Sequence, residues 1–91
     1  MFRWEYAIRE ILAHQRGEAA LQEMYQTLEK QFPLDENDLR VTEYGGRPAY
    51  QHVVRSVISN LVQNGDLIRV GRGRYTLSAA GRERWESERE E

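Results

Sequence analysis

The chain has 91 residues, of which 40% are hydrophobic and 31% are charged, a balance that suits one small folded domain with a single core. It contains no cysteine, which excludes a disulfide framework and a thiolate metal site. No apolar run reaches the roughly 18 residues that a membrane-spanning helix needs, and residues 1–6 lack the pattern of a secretory signal. We therefore expect a cytoplasmic protein with no membrane partner.

The charge is unevenly spread along the chain, although the formal net charge is only −2. Between Arg47 and Arg74 five arginines stand against one acid, Asp66, which gives this segment a charge of +4 and leaves −6 for the remainder. Only the surface that faces DNA phosphates needs to be positive. The distribution is therefore compatible with a nucleic-acid-binding surface in the second half of the chain.

Two amphipathic helices are predicted in the first third of the chain. Apolar residues recur at helical spacing over residues 2–16, and Gly17 is a suitable residue to end this helix. The same spacing returns over residues 21–32 and is stopped by Pro33. Residues 18–19 are left between the two helices as a short strand or a turn.

A long loop is predicted next. Residues 33–47 show no apolar periodicity and combine several acids with Gly45 and Gly46, a composition typical of a loop. We predict no helix in this segment. A loop of 15 residues is long enough to suggest a function or mobility.

The third helix has the clearest pattern in the chain. Pro48 suits a first helical turn, and an uninterrupted apolar stripe then runs to Val62 before Asn64 and Gly65 end the helix. Two β-rich runs follow, residues 67–70 and 75–77. The turn Gly71-Arg72-Gly73-Arg74 between them predicts an antiparallel hairpin.

A short closing helix completes the predicted fold. Ser78 could cap a helix that runs through Trp85, and residues 86–91 are mostly charged and are expected to fray. This element order predicts a mainly α fold with a small antiparallel β hairpin, a winged helix-turn-helix whose wing is the hairpin. We assign residues 1–81 to the winged helix-turn-helix domain and residues 82–91 to a charged C-terminal helix end or tail.

The outward face of the third helix carries the candidate DNA-binding residues. With the apolar stripe placed against the core, seven side chains are left to face outward, and none is a carboxylate. Neutral hydrogen-bonding groups and arginine read base edges and hold phosphate oxygens, whereas the DNA backbone repels carboxylates. We predict that this helix enters the major groove and that the wing holds the backbone. The predicted contact residues are Arg47, Gln51, His52, Arg55, Ser56 and Ser59 at the helix, and Arg69, Arg72 and Arg74 on the wing.

These features also have plainer interpretations. The helix face would be an ordinary solvated surface if Arg55 pairs with an acid of the first or second helix, and glycine-arginine turns are common hairpin tips. Tyr44, in the loop ahead of the helix, either contacts a modified base or anchors its own loop. A protein-interaction winged helix would instead use the acidic first half or the charged C-terminal helix, where Trp85 is the one apolar side chain outside the core stripes.

No catalytic, metal or cofactor site is predicted. His14 and His52 fall on different helices, and neither has a partner at metal-ligand or catalytic-triad spacing. The sequence has no phosphate-cradling loop and no nucleophile elbow. We therefore expect a binding protein rather than an enzyme.

Three runs of sequence carry a resemblance to a known family. They are residues 17–25 (GEAALQEMY), 50–56 (YQHVVRS) and 65–77 (GDLIRVGRGRYTL), followed by Gly81. In this order they resemble the winged-helix domain at the amino end of Mrr-type restriction proteins and related restriction-associated endonucleases. The Val-Arg pair of that family's third helix corresponds to Val54 and Arg55.

The resemblance implies a double-stranded DNA-recognition module, often tethered to a nuclease domain and in some systems sensing methylated DNA. No nuclease motif follows in this chain, so the resemblance does not extend to cleavage. A nuclease domain or subunit is the further partner that it suggests. A second copy of the chain is another expected partner, because helix-turn-helix proteins often dimerise. A looser similarity to small transcriptional regulators leaves that function as an alternative.

Overall fold

The computed structural model describes residues 3–14, 18–41 and 46–89, and within these ranges the chain forms five helices and three strands. In chain order they are α1 (Trp4–His14), β1 (Glu18–Ala20), α2 (Leu21–Gln31), α3 (Glu36–Leu39), α4 (Ala49–Gln63), β2 (Leu67–Gly71), β3 (Arg74–Leu77) and α5 (Ala79–Arg89). In the part of the chain described, no helix has both the length and the apolar character needed to cross a membrane.

The three strands form one antiparallel sheet in the order β1-β3-β2. β3 lies in the centre, where Thr76 is opposite Glu18 of β1 and also opposite Ile68 of β2. The register of β2 shifts between Arg69 and Gly71, as a β-bulge would cause. The predicted hairpin is confirmed, and of the two predictions for residues 18–19 the strand is correct.

Apolar stripes of α1, α2 and α4 pack together with the sheet to form the core. Tyr50 of α4 is fully buried, its ring is stacked on Trp4 of α1, and its hydroxyl donates a hydrogen bond to Glu29 Oε2 of α2 (2.5 Å). Burial of the Tyr50 hydroxyl is the larger cause, and its hydrogen bond to Glu29 the second, of a rise in the Tyr50 pKa to about 12. The buried apolar residues are Ala7, Ile8, Ile11, Leu12, Ala19, Met24, Tyr25, Leu28, Tyr50, Val54, Ile58, Leu61, Leu67 and Leu77. The prediction of a mainly helical fold with a small antiparallel sheet is confirmed.

The prediction that residues 33–47 hold no helix is wrong, because α3 lies within them. The Asp35 side chain accepts a hydrogen bond from the Asp38 backbone N–H (2.9 Å), and the Asp38 side chain accepts one from the Asp35 N–H (3.1 Å). This reciprocal capping stabilises a single turn. α3 buries no residue, so no apolar periodicity signals it in the sequence.

α5 is longer and better anchored than the sequence predicts. Its helical residues continue past Trp85 to Arg89, while Glu90 and Glu91 lie outside the described residues. Trp85 is 5% exposed, which corrects its interpretation as an apolar surface residue. Arg9 of α1 holds the end of the helix, since its Nε and Nη2 atoms donate to the two carboxylate oxygens of Glu88 at 2.9 and 2.7 Å.

A buried ion pair joins α1 to the turn before β2. The Nη1 atom of Arg9 donates to Asp66 Oδ2 at 3.1 Å, and both residues are buried. The Nη1 atom of the more exposed Arg84 lies 3.4 Å from the same oxygen. Asp66, the one acid between Arg47 and Arg74, is therefore neutralised inside the protein and contributes little negative potential to the surface.

Gly81 allows α5 to pack closely on the turn that contains Asp66. A Cβ atom at this position would lie 2.2 Å from the Asp66 carbonyl oxygen, a distance that no side chain tolerates. Ser78 caps the helix as predicted, because its Oγ accepts a hydrogen bond from the Gly81 N–H (3.0 Å). The Ser78 N–H also donates to the Asp66 carbonyl (2.9 Å). The start of α5 is thus fixed to the segment that leads into the hairpin.

Candidate nucleic-acid interface

A groove of about 580 Å³ lies between α4 and the β2–β3 hairpin. Its floor is apolar and buried or half-buried, and its rim is polar and exposed. The floor consists of Leu21, Ile58, Val62 and Tyr75, and the rim of Arg55, Ser59, Gln63, Arg69 and Arg72, with Gly73 in the hairpin turn. The described residues that line the groove include three arginines and no acid.

Helical periodicity determines which residues of α4 line this groove. Arg55, Ser59 and Val62 are spaced i, i+4 and i+7, so they form one stripe along α4. This stripe lies beside the buried one that contains Val54 and Ile58. Because the core fixes the rotation of α4, it also fixes which polar side chains face the hairpin.

The strand register determines which residues of the hairpin line the groove. Arg69 is directly opposite Tyr75, so the two side chains lie on the same face of the sheet and both line the groove. Gly73 adopts a positive φ of 67° in the turn, and its carbonyl oxygen accepts a hydrogen bond from the Leu21 N–H (2.8 Å). This bond ties the hairpin turn, with Arg72, to the start of α2.

Four of the predicted contact residues come together at the groove, namely Arg55, Ser59, Arg69 and Arg72. The other predicted residues of α4 lie outside its lining. His52 and Ser56 are exposed, while Gln51 is half-buried, and its Nε2 donates to the Tyr50 hydroxyl at 3.5 Å. Arg47 is exposed just ahead of α4, and Tyr44 lies outside the described residues.

The structure separates Arg74 from the other predicted arginines. Successive side chains of a strand point to opposite faces, so Arg74 lies on the face opposite to Tyr75. Its Nε donates to Glu18 Oε1 at 2.9 Å, and its Nη1 is 4.0 Å from Glu23 Oε1. Arg74 therefore lies outside the groove lining, on the other face of the hairpin from Arg69, and its predicted DNA contact stays a prediction.

Arg55 forms no ion pair with the described acids of α1 and α2. Among the described residues, no carboxylate lies within ion-pair distance of Arg55, Arg69 or Arg72. Burial raises the pKa of Tyr25 on α2, while the positive charges of Arg55 and Arg47 act to lower it. Arg55 and Arg47 therefore lie near enough to the Tyr25 hydroxyl for their charges to act on it.

The groove contains residues that are absent from the predicted contact set. Gln63 belongs to the outward face of α4 but was not among the predicted contacts, and its place at the rim follows from its position one turn after Ser59. Tyr75 is recognisable only once it is paired with Arg69 in the hairpin register. Leu21 belongs to a different helix, and no local pattern connects it with the hairpin.

Within the described part of the chain, no group of three or more histidine or carboxylate side chains could hold a metal ion. Comparison with models of protein families, with curated proteins and with solved structures found no match to the chain. The arrangement of the groove itself, an apolar floor with a basic rim, is therefore the basis on which a function can be assigned.

Proposed function

We propose that the protein binds double-stranded DNA as a winged-helix recognition module. α4 lies in the major groove with its outward polar face toward the base edges, and Arg69 and Arg72 hold the backbone from the hairpin, which acts as the wing. The observation that carries this proposal is the groove between α4 and the hairpin, where three arginines have no carboxylate partner among the described residues. Such a surface attracts a polyanion.

The placement of the acids supports the same conclusion. Asp66 is buried against Arg9, so it does not oppose the arginines at the surface. Glu18 lies opposite Thr76 in the sheet and pairs with Arg74 on the face away from the groove. A net negative protein can therefore present one positive surface, and only that surface needs to meet phosphate groups.

The resemblance to Mrr-type restriction proteins suggests a biological role. We propose a recognition module of a restriction or modification-sensing system that binds DNA without cleaving it and acts beside a nuclease domain or subunit. Under this proposal the chain positions the nuclease on the DNA and supplies its sequence preference. Dimerisation would place two copies of α4 on successive turns of the duplex.

The proposal is tested by fluorescence anisotropy with short labelled duplexes over a salt series. We expect the logarithm of the affinity to fall linearly with the logarithm of salt concentration, by about one unit of slope for each phosphate contact. Matched duplexes that carry methylated adenine or cytosine test the modification-sensing role, which predicts a preference for one of them. Absence of binding at low salt would contradict the DNA-binding proposal.

A protein-interaction function is the second candidate, and a specific observation favours it. Leu39 at the end of α3 is 44% exposed, and Val41 just after it is 63% exposed. Val53 is 41% exposed on α4, which packs against α3. Exposed apolar side chains on adjoining elements are typical of a protein contact.

A further inference from the structure

We propose that the groove between α4 and the hairpin accommodates one unpaired nucleotide of the bound DNA, with its base on the apolar floor and its phosphate at the basic rim. The inference rests on the proposed function and deepens it, because duplex binding alone needs only the rim. It assigns a ligand to the side chains below the rim.

The size of the groove and its apolar floor are the first observation. Its volume of about 580 Å³ falls in the range of pockets that enclose small ligands, roughly 300 to 1,000 Å³. Ile58 is 3% exposed at its base, with the half-buried Val62 beside it. A surface that contacts only phosphate oxygens gains nothing from such an apolar recess.

The chemistry of the lining is the second observation. Tyr75 offers a half-buried aromatic ring against which a base can stack. At the rim, Ser59 and Gln63 supply hydrogen-bond donors and acceptors within reach of a base edge. A nucleobase, which is an aromatic ring with polar edges, fits this combination of side chains.

The positive charge of the groove lining favours a nucleotide over an apolar peptide side chain as the ligand. Arg55, Arg69 and Arg72 surround the floor, and no described acid lines the groove. An uncharged apolar ligand would cover these guanidinium groups without compensating their charge, which is unfavourable. A nucleotide supplies both the aromatic ring and the negative charge.

A base must leave the stack before it can enter the groove. In a paired duplex this step costs the stacking and pairing energy of that base, whereas a base that is already unpaired costs much less. The protein should therefore bind a duplex with one extrahelical base more tightly than a fully paired duplex of the same sequence.

The test compares three labelled duplexes at one salt concentration. The first is fully paired, the second carries a single bulged adenine, and the third carries an abasic site at the bulge, which bends DNA without offering a base. We expect the adenine bulge to be bound on the order of 10-fold more tightly than the other two.

A pair of variants tests whether the groove causes this preference. Ser59→Phe fills the groove and should abolish the preference, while Gln26→Phe, exposed on α2 and outside both the groove lining and α4, should retain it.

Three results would overturn the inference and leave the proposed function intact. They are equal affinity for the adenine bulge and the paired duplex, equal affinity for the adenine and abasic bulges, and a preference that survives Ser59→Phe. If no duplex is bound even at low salt, the proposed function fails, and the inference fails with it.

Discussion

Arg69 and Tyr75 lie directly opposite each other in the β2–β3 hairpin, and both line the groove beside α4. This pairing gives the hairpin two different faces. The face toward α4 carries Arg69, while on the opposite face Arg74 is paired with Glu18. The basic character of the hairpin is therefore directed toward α4.

The first prediction concerns Arg72 in the hairpin turn and Arg74 at the start of β3. Arg72→Ala should weaken binding about equally for all duplexes and lower the salt slope by about one unit, because it removes one phosphate contact. Arg74→Ala is the matched control and should leave the slope unchanged, since Glu18 already holds that side chain. Anisotropy over a salt series measures both, and equal losses would contradict the assignment of the two faces.

The second prediction concerns Arg55. Arg55→Ala should change the free energy of unfolding by no more than about 0.5 kcal/mol, because the side chain is exposed and forms no ion pair with a described residue. The same variant should bind DNA more weakly, with altered sequence preference if the guanidinium reaches a base edge. Urea denaturation and anisotropy separate the two effects. A large loss of stability would show that Arg55 has a structural role.

The third prediction concerns the buried ion pair. Arg9→Met removes the closest partner of a fully buried Asp66 and should destabilise the fold by about 3 to 5 kcal/mol. Arg84→Met is the control, because Arg84 contacts the same carboxylate from a half-exposed position and should cost less than about 1 kcal/mol. Urea denaturation of the two variants tests this order, and similar losses would refute it.

The fourth prediction concerns the close approach of α5. In a helix, alanine is normally more stable than glycine by about 1 kcal/mol. Gly81→Ala should nevertheless destabilise the protein by about 1 to 3 kcal/mol, because the new methyl group would collide with the Asp66 carbonyl. The exposed Ala80→Gly serves as the reference for propensity alone. If Gly81→Ala proves stabilising in thermal denaturation, the packing of α5 described above is wrong.

Apolar periodicity predicted the elements that bury side chains, and it failed where an element is held by polar groups. α4 was predictable because its stripe from Tyr50 to Leu61 is buried. α3 was not, although Asp35 and Asp38 stand at capping-box spacing, because the acids suggested a loop. The end of α5 was missed for a similar reason, since Glu88 is held by Arg9 from the distant α1.

The candidate site was predictable as far as local geometry determines it. Helical spacing placed Arg55 and Ser59 on one face, and that placement agrees with the groove. The turn sequence alone did not show which face of the hairpin carries Arg74, because that depends on the alternation of side chains along β3. Its pairing with Glu18 also depends on β1 joining the sheet. The burial of Asp66 depends on Arg9, which is far away in the chain, so no local pattern predicts it.

The central claim is that DNA binds between α4 and the hairpin, and amide chemical shifts recorded during titration with a short unmodified duplex test it most directly. We predict that the largest changes fall on Arg55, Ser59 and Arg72, with small changes on the outer face of α5. Changes concentrated around Leu39 and Val41, with the groove residues unaffected, would contradict the claim and favour the surface beside α3.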